Sequence, residues 1–442
     1  MKETFNNNKF IKLQKESIKN LINSTLGRVY LEIGGKYFDD LHASRVLAGY
    51  NPKNKRNIIN SLDCDKEFIL CVSARSITKR KKRRDNKLLY IDECYRMIDL
   101  LKKDNQKVSV VITMYKETPT IAKFKETLSK LNVPIYKNFI IEDYPKIDSD
   151  LAFSQFLKND FVKCDSKLVC VIAPGPNSGK FSTCISQIIN EKANNNLAIY
   201  RKIETFLVPE LSLDHPINLA CSAAMADVSS DDVIDERYYK EYGKMMSVDS
   251  RDLQAFELLY PIIKDVDTEV KALSDTFINN IYDCITDLET AKSHAIKEIN
   301  RRYKEAISHY KSGKLNAIEY KEIIRIKNLA TKGKVLSKTE MDTLFHKTIE
   351  FWGFDIQSNT LIEELAELIK AMAKYKREEC EKAPDEIKYN LLEEIADVHN
   401  MLYQMEVYFG EDKIAQIRAE KAYRTKKLLE KEILEYKLQK GD

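Results

Sequence analysis

Short apolar runs alternate with amphipathic stretches through the first half of the chain. Phe10–Asn23 carries apolar positions at helical spacing among lysines and asparagines, which predicts a polar-rich helix. Val29–Ile33 is a short apolar run that stops at Gly34-Gly35, and Phe68–Val72 is another; both read as buried strands. Helix patterns over Ile58–Leu62, Ile91–Leu101 and Ile121–Leu131 interleave with strand patterns over Val108–Met114 and Val133–Tyr136. A second alternation begins near Lys167, with strand Leu168–Ile172, a turn, helix Phe181–Lys192 and strand Leu197–Ile203. Such alternation predicts a Rossmann-like or P-loop-like α/β fold, with helices covering a mostly parallel sheet.

The texture changes near Asp265. Val270–Leu329 is nearly continuous helix pattern, charged and low in glycine, broken at Gly313. Ser337 followed by Glu340 is a capping box, so a new helix starts there, with Thr331–Val335 as the linker ahead of it. The remainder is helix, its later part opening at Pro384-Asp385. The expected fold class is therefore multidomain: α/β subdomains over 1–150 and 151–265, a helical connector over 266–336 and an all-α bundle over 337–442.

Two segments of that bundle carry acidic pairs three residues apart, Glu364 with Glu367 and Glu394 with Asp397. That spacing puts each pair on one helix face. Leu365, Leu368, Ile369 and Met372 on one helix, and Leu391, Leu392, Ile395, Val398 and Leu402 on the other, are expected to pair the two. The four carboxylates would then converge, repelling one another and losing water. A hard cation such as Mg²⁺ relieves both penalties. A single such pair is most often just a solvated helix face; two on consecutive amphipathic helices ask for more.

The blocks EELAE and EEIAD, with FHKTIEFWGFDIQ ahead of them and DVHNML after, resemble the MazG-type all-α nucleoside triphosphate pyrophosphohydrolases over about Met341–Leu429. The resemblance implies hydrolysis of nucleoside or deoxynucleoside triphosphates to monophosphate and pyrophosphate, with Mg²⁺ or Mn²⁺ as cofactor. Glu364, Glu367, Glu394 and Asp397 become the metal-holding and catalytic set, with Glu363 or Glu393 as further proton acceptors. Lys370, Arg418, Lys421 and Arg424 are expected to meet the phosphates, Asn400 the sugar or base, and Trp352 to stack a base, although a lone Trp is more often core. Nucleoside triphosphates are the expected partners, together with further copies of the chain as a dimer or tetramer.

Ala173-Pro174-Gly175-Pro176-Asn177-Ser178-Gly179-Lys180 joins a strand to a helix, the setting of a phosphate loop. It departs from the standard pattern: Ala173 stands at the first glycine, Phe181 replaces the Ser or Thr, and two prolines remove N–H donors. Gly175, Ser178, Gly179 and Lys180 are the expected anion contacts and ATP the expected ligand; the other reading is a structural turn. The blocks YLEIGGKYFDDLHASRVLAGYNP, VVITMY, APGPNSGKFSTCISQI, KIETF and LDHPINLACSAAMADV resemble, in order, an uncharacterised bacterial family known as domain of unknown function number 1846. The resemblance spans about 5–265, with a fainter echo at EINRRYKEAISHYKSGK. The family's later, VNMAG-like block is not found. Its polar positions supply candidates: Asp39, Asp40, His42, Ser44, Arg45, Glu204, His215, Asn218 and Asp227. His42 beside Asp39 and Asp40 reads equally as a base with an orienting acid and as a structural histidine. His215 before Pro216 reads at least as readily as a turn residue. Arg84 ends the basic run Lys79–Arg84, which suits a solvated loop better than a phosphate-steering patch. An alternative function follows: an ATP-using phosphotransferase or ligase in the N-terminal region, with the C-terminal domain as an accessory nucleotide-binding module.

Composition narrows the classes. Lys and Arg total 72 against 68 Asp and Glu, for a net charge of +4 over 442 residues, too balanced to argue for a nucleic-acid partner. None of the nine cysteines forms a C-x-x-C pair, which excludes a recognisable zinc site or disulfide framework and suits a reducing compartment. No apolar run reaches membrane-spanning length, so a cytoplasmic protein without a membrane partner is expected.

Overall fold

The computed structural model describes residues 3–82, 88–146, 148–225, 232–332, 336–378, 380 and 383–440. The chain divides into two compact units, Met1–Lys334 and Val335–Asp442. The strands of the first unit are β1 (Arg28–Ile33), β2 (Lys66–Ser73), β3 (Lys107–Thr113), β4 (Ile135–Lys137), β5 (Leu168–Ile172), β6 (Ala198–Ile203), β7 (Asp232–Ile234), β8 (Ser247–Asp249) and β9 (Phe277–Ile278). Seven of them form one parallel sheet in the order β4-β3-β2-β5-β1-β6-β9, while β7 and β8 pair antiparallel with each other.

The central strands are apolar on both faces because both faces are covered. Val29, Leu31, Ile33, Phe68, Leu70 and Val72 pack beneath helices Asn7–Ser24, Tyr90–Lys103 and Pro119–Lys130. The alternate residues Tyr30, Ile69, Cys71, Val169 and Val171 pack beneath helices Ser149–Phe156, Lys180–Ala193 and Ser250–Ile263. The chain leaves β2 towards β3 over the first face and leaves β5 towards β6 over the second. Neighbouring strands β2 and β5 thus send their connections opposite ways, which opens a crevice beyond their C-terminal ends.

The division expected at residue 150 does not appear, because β5 returns from the far edge to lie between β2 and β1. Nor is the stretch after residue 265 a separate connector. Strand β9 joins the same sheet, and the helices Leu288–Lys311 and Ala317–Lys332 pack into its first core through Ala291, Ala295, Ile299 and Ile326. Helix was expected from Val270. Instead Leu273–Thr276 is a single 3₁₀ turn, and the helix starts at Leu288, where Asp287 accepts from the Thr290 N–H. The break expected at Gly313 is present, in the left-handed region at φ +68°.

The second unit is helical. Helix Lys338–Arg377 opens with the expected capping box, Ser337 Oγ accepting from the Glu340 N–H and Glu340 reaching back to the Ser337 N–H. It is interrupted at Gly353, whose φ 78°, ψ 171° only glycine adopts with ease. Helices Asp385–Phe409 and Glu411–Lys440 follow. Phe354 stacks on Tyr408 at 4.7 Å and Glu364 further on lies beside Glu394 and Asp397, so the stretch after Gly353 runs antiparallel to the second helix; ahead of Gly353, Tyr403 donates to Asp342. The apolar seam expected between them closes only in part. Leu391 and Val398 are buried, with Ala371, Met401 and Met405, but Leu365, Ile369, Met372, Leu392 and Leu402 are exposed, Ile369 by 70%.

Among the described residues no helix is long and apolar enough to cross a membrane. All nine cysteines are free thiols and most are buried; burial pushes Cys71, inside β2, up to about 12.

Gly27 enters β1 against the backbone of the residue ahead of β6. A Cβ there would lie 2.1 Å from the Leu197 carbonyl oxygen, which accepts from the Arg28 N–H. Gly27→Ala is expected to destabilise the first unit by on the order of 2 kcal/mol. Urea unfolding should show a lower midpoint at unchanged slope; an unmoved midpoint would contradict so close an approach.

Candidate functional site

In the second unit the antiparallel pairing brings Glu364, Glu394 and Asp397 together. One carboxylate oxygen from each lies within 4.8 Å of the other two. Glu367 does not join them: three residues carry it about 4.5 Å along the helix axis, and it is exposed. Its charge is still felt. Partial burial, then the charges of Asp397, Glu367 and Glu394, push the Glu364 carboxyl above the usual carboxylate range. The Asn390 side-chain amide, one turn before Glu394, donates to Glu394 Oε1 at 2.9 Å and fixes that carboxylate.

The cations expected to serve this cluster are placed otherwise. Arg418 pairs with Glu406 at 3.1 Å, because the turn at Gly410 folds the start of the last helix back towards that residue. Lys421 and Arg424 are exposed and make no ion pair among the described residues, and Lys370 and Asn400 are exposed as well. Trp352 is half-exposed rather than core and lies edge-on to Phe351.

In the first unit the expected phosphate loop lies at the C-terminal end of β5, beside the crevice. It is pinned from beneath. Ser178 Oγ donates to the Gly175 carbonyl at 2.8 Å, so the Tyr90 hydroxyl must donate to Ser178 Oγ at 2.7 Å. The Tyr90 oxygen accepts in turn from the Ser73 N–H at the end of β2, and Thr113 Oγ1 at the end of β3 donates to the Ser178 carbonyl. Gly179 caps the following helix at φ +79°, where a Cβ would crowd Thr113 at 3.1 Å. Ser182 and Thr183, the nearest substitutes for the missing Ser or Thr, both donate to the Gly179 carbonyl, and Phe181 is buried against Tyr200.

Lys180 reaches sideways to Glu32 in β1, at 3.1 Å. Glu32 also accepts from the Tyr200 hydroxyl at 3.0 Å. Burial raises the Glu32 carboxyl, but Lys180 and Lys202 outweigh it and hold the group below the usual range. Lys202 in β6 pairs with Glu204 at 3.1 Å and Asp252 at 3.6 Å. Glu32, Lys202 and Asp252 escaped the sequence reading. The signal was there: Glu32 is a charge inside an apolar run, and Lys202 follows Arg201 within a buried strand.

The family-block residues mostly take structural roles. His42 does not pair with Asp39 or Asp40, since Asp39 pairs with Arg96 and Asp40 with Lys55. Arg302, which has no acceptor, donates to His42 Nδ1 at 3.2 Å, leaving the ring hydrogen on Nε2. A base would need that lone pair free. Arg45 lies 3.9 Å from Glu298 and is nearly half exposed. Asn218 is fully buried; its oxygen accepts from the Val208 N–H and its amide donates to the Val208, Leu211 and Ser212 carbonyls, stapling that loop. His215 Nδ1 accepts from the Ile217 N–H, as a turn residue does. Arg84 and Asp227 lie outside the described residues.

The sequence matches the family model described as "Domain of unknown function DUF1846, N-terminal" over residues 3–332, past residue 265 and through the whole sheet. A UPF0371 protein of Corynebacterium urealyticum is 36% identical over 309 residues, 69% of this chain and 62% of its own length. One of Streptococcus thermophilus is 34% identical over 331 residues, 74% of this chain and 67% of its own. One of Fusobacterium nucleatum is 35% identical over 327 residues, 73% and 64%. The chain thus spans about two thirds or less of the length of these relatives.

Burial, with the Arg302 charge beside it, pushes His42 down to about 4 from an ordinary 6.5. The folded state therefore resists a proton that the unfolded chain accepts. The resulting stability is full above pH 6.5 and is lost as pH falls towards 4. Denaturant unfolding of the first unit should show that slope, and His42→Gln should flatten it. An equal slope in the variant would assign it to other groups.

Proposed function

The chain belongs to the DUF1846 family through its first unit, and for the second unit, outside that match, we propose a hydrolase which splits nucleoside or deoxynucleoside triphosphates into monophosphate and pyrophosphate. The observation that carries the reading is the approach of Glu364, Glu394 and Asp397 to within 4.8 Å, on helices whose acidic blocks resemble MazG-type enzymes. Like charges so close cost free energy, as the raised Glu364 carboxyl expresses. An all-oxygen donor set fits a hard cation, Mg²⁺ or Mn²⁺. Glu364, Glu394 and Asp397 would hold it, with Glu367 one turn along. Such a cation, when bound, neutralises phosphate charge and acidifies water.

The remaining work falls to the chain. Asn390 keeps Glu394 aimed into the cluster. Glu363 or Glu393, beside the cluster in sequence, takes the proton from a water attacking the α-phosphorus. The bond from that phosphorus to the bridging oxygen breaks, and pyrophosphate leaves. Lys370, exposed one turn past Glu367, is free to meet the leaving group. The exposed Ile362, Ile369 and Leu392 are best covered by a second copy of the unit, so the working form is a homo-oligomer.

Full-length protein, offered each nucleoside triphosphate with Mg²⁺, should release pyrophosphate and never orthophosphate. Glu364→Gln or Asp397→Asn should abolish release while circular dichroism stays unchanged. Full turnover in both variants would remove the acids from the chemistry. Light scattering should return at least twice the chain mass, and Ile369→Glu with Leu392→Glu should lower it; a wild-type monomer would refute the oligomer.

A further inference from the structure

The first unit holds a network of full charges that the proposed hydrolase does not use. Glu32, Lys180, Lys202, Glu204 and Asp252 stand together at the C-terminal edge of β1 and β6. Charges taken out of water are costly unless well paired, and such groups in a crevice are candidates for a functional site. This network lies at the mouth of the sheet: the Lys180, Lys202 and Glu204 side chains keep 16%, 15% and 20% of their surface.

The network closes towards the protein and stays open outward. Glu32 spends one oxygen on Lys180 and the other on Tyr200. An ammonium group has three donors. Glu32 takes one from Lys180, and among the described residues no other acceptor bonds to it. The neighbouring backbone is in the same condition: the N–H groups of Ser178, Gly179, Lys180, Phe181 and Ser182 have no acceptor among the described residues. The chain is also stripped bare here, since a Cβ on Gly34 would fall 2.6 Å from Glu204 Oε2. Across the crevice the end of β2 leads into Lys79, Arg80, Lys81 and Lys82, all exposed.

We propose that this edge is a ligand site in its own right, taking the phosphate group of a small metabolite between the Lys180 and Lys202 ammonium groups and the Gly175–Gly179 turn. The surplus at the mouth is of donors, which suits an anion with several oxygens. Glu32 and Glu204 are each matched by a lysine, and Asp252 draws on Lys202 as well. Burial, against the pull of Lys202 and with the push of Glu32, raises the Asp252 carboxyl above the usual range. The pinned turn keeps its N–H groups fixed before a ligand arrives, so little ordering is lost on binding.

The test uses full-length Asp397→Asn protein in EDTA, which silences the acidic cluster of the second unit. Calorimetry with ATP, inorganic pyrophosphate and inorganic phosphate should show binding of at least one. Tighter binding of ATP identifies a nucleotide as the ligand, and equal affinity a free phosphate species; both support the site. Lys180→Met paired with Glu32→Gln, which leaves no lone buried charge, should weaken binding at least about tenfold, or 1.4 kcal/mol. Lys202→Met should act in the same direction, and Arg325→Ala on a distant helix should not. Folding is checked by circular dichroism. Absence of binding for all three probes at millimolar concentration overturns the proposal, as does undiminished affinity in the folded double variant.

Discussion

The first unit depends on the way β5 is laid down. The chain walks outward from β2 to β3 and β4, then returns to pair β5 with β2 on one side and β1 on the other. Parallel pairing demands a crossover for each step, and crossovers take one hand. Reversing the direction of travel therefore moves the covering helices from one face to the other. Leu168–Ile172 must then be apolar throughout, and it is. The loop leaving β5 emerges where the two sets of connections part. Its tethers to Ser73 and Thr113 and the reach of Lys180 to Glu32 all follow from that one placement.

The second unit rests on a different balance. Two helices are held together by a narrow seam of Ala371, Leu391, Val398, Met401 and Met405, while three carboxylates push on the same contact. Methionine fills such seams without dictating a tight fit. Apolar side chains, Ile369 and Leu392 among them, are left outside that seam.

Much of this was legible from residues and spacing. The strands β1 to β6 were all legible, β2 and β5 most plainly, because a strand covered on both faces must be an apolar run. The capping box at Ser337 and the break at Gly313 were local chemistry, readable in a few residues. The acidic pairs were visible because a helix repeats. What escaped was whatever depends on register between distant segments. Strand β9 has two residues, too few for any pattern. That Glu367 falls outside the cluster is set by how two helices slide past each other. Arg302 on His42 and Lys202 beside Asp252 join parts of the chain that only the folded sheet brings near. The family blocks read as possible chemistry, yet Asn218 spends its whole amide on the loop backbone.

Gly353 carries a last consequence. Its backbone angles belong to neither helix it joins, so the count of residues per turn starts afresh at Phe354. The aromatic stretch before it and the acidic stretch after it thus keep separate rotational phases. Insertions or deletions ahead of that point can be absorbed without turning the carboxylates away from their partners. One residue without a side chain lets the two helical stretches it joins drift independently through sequence change.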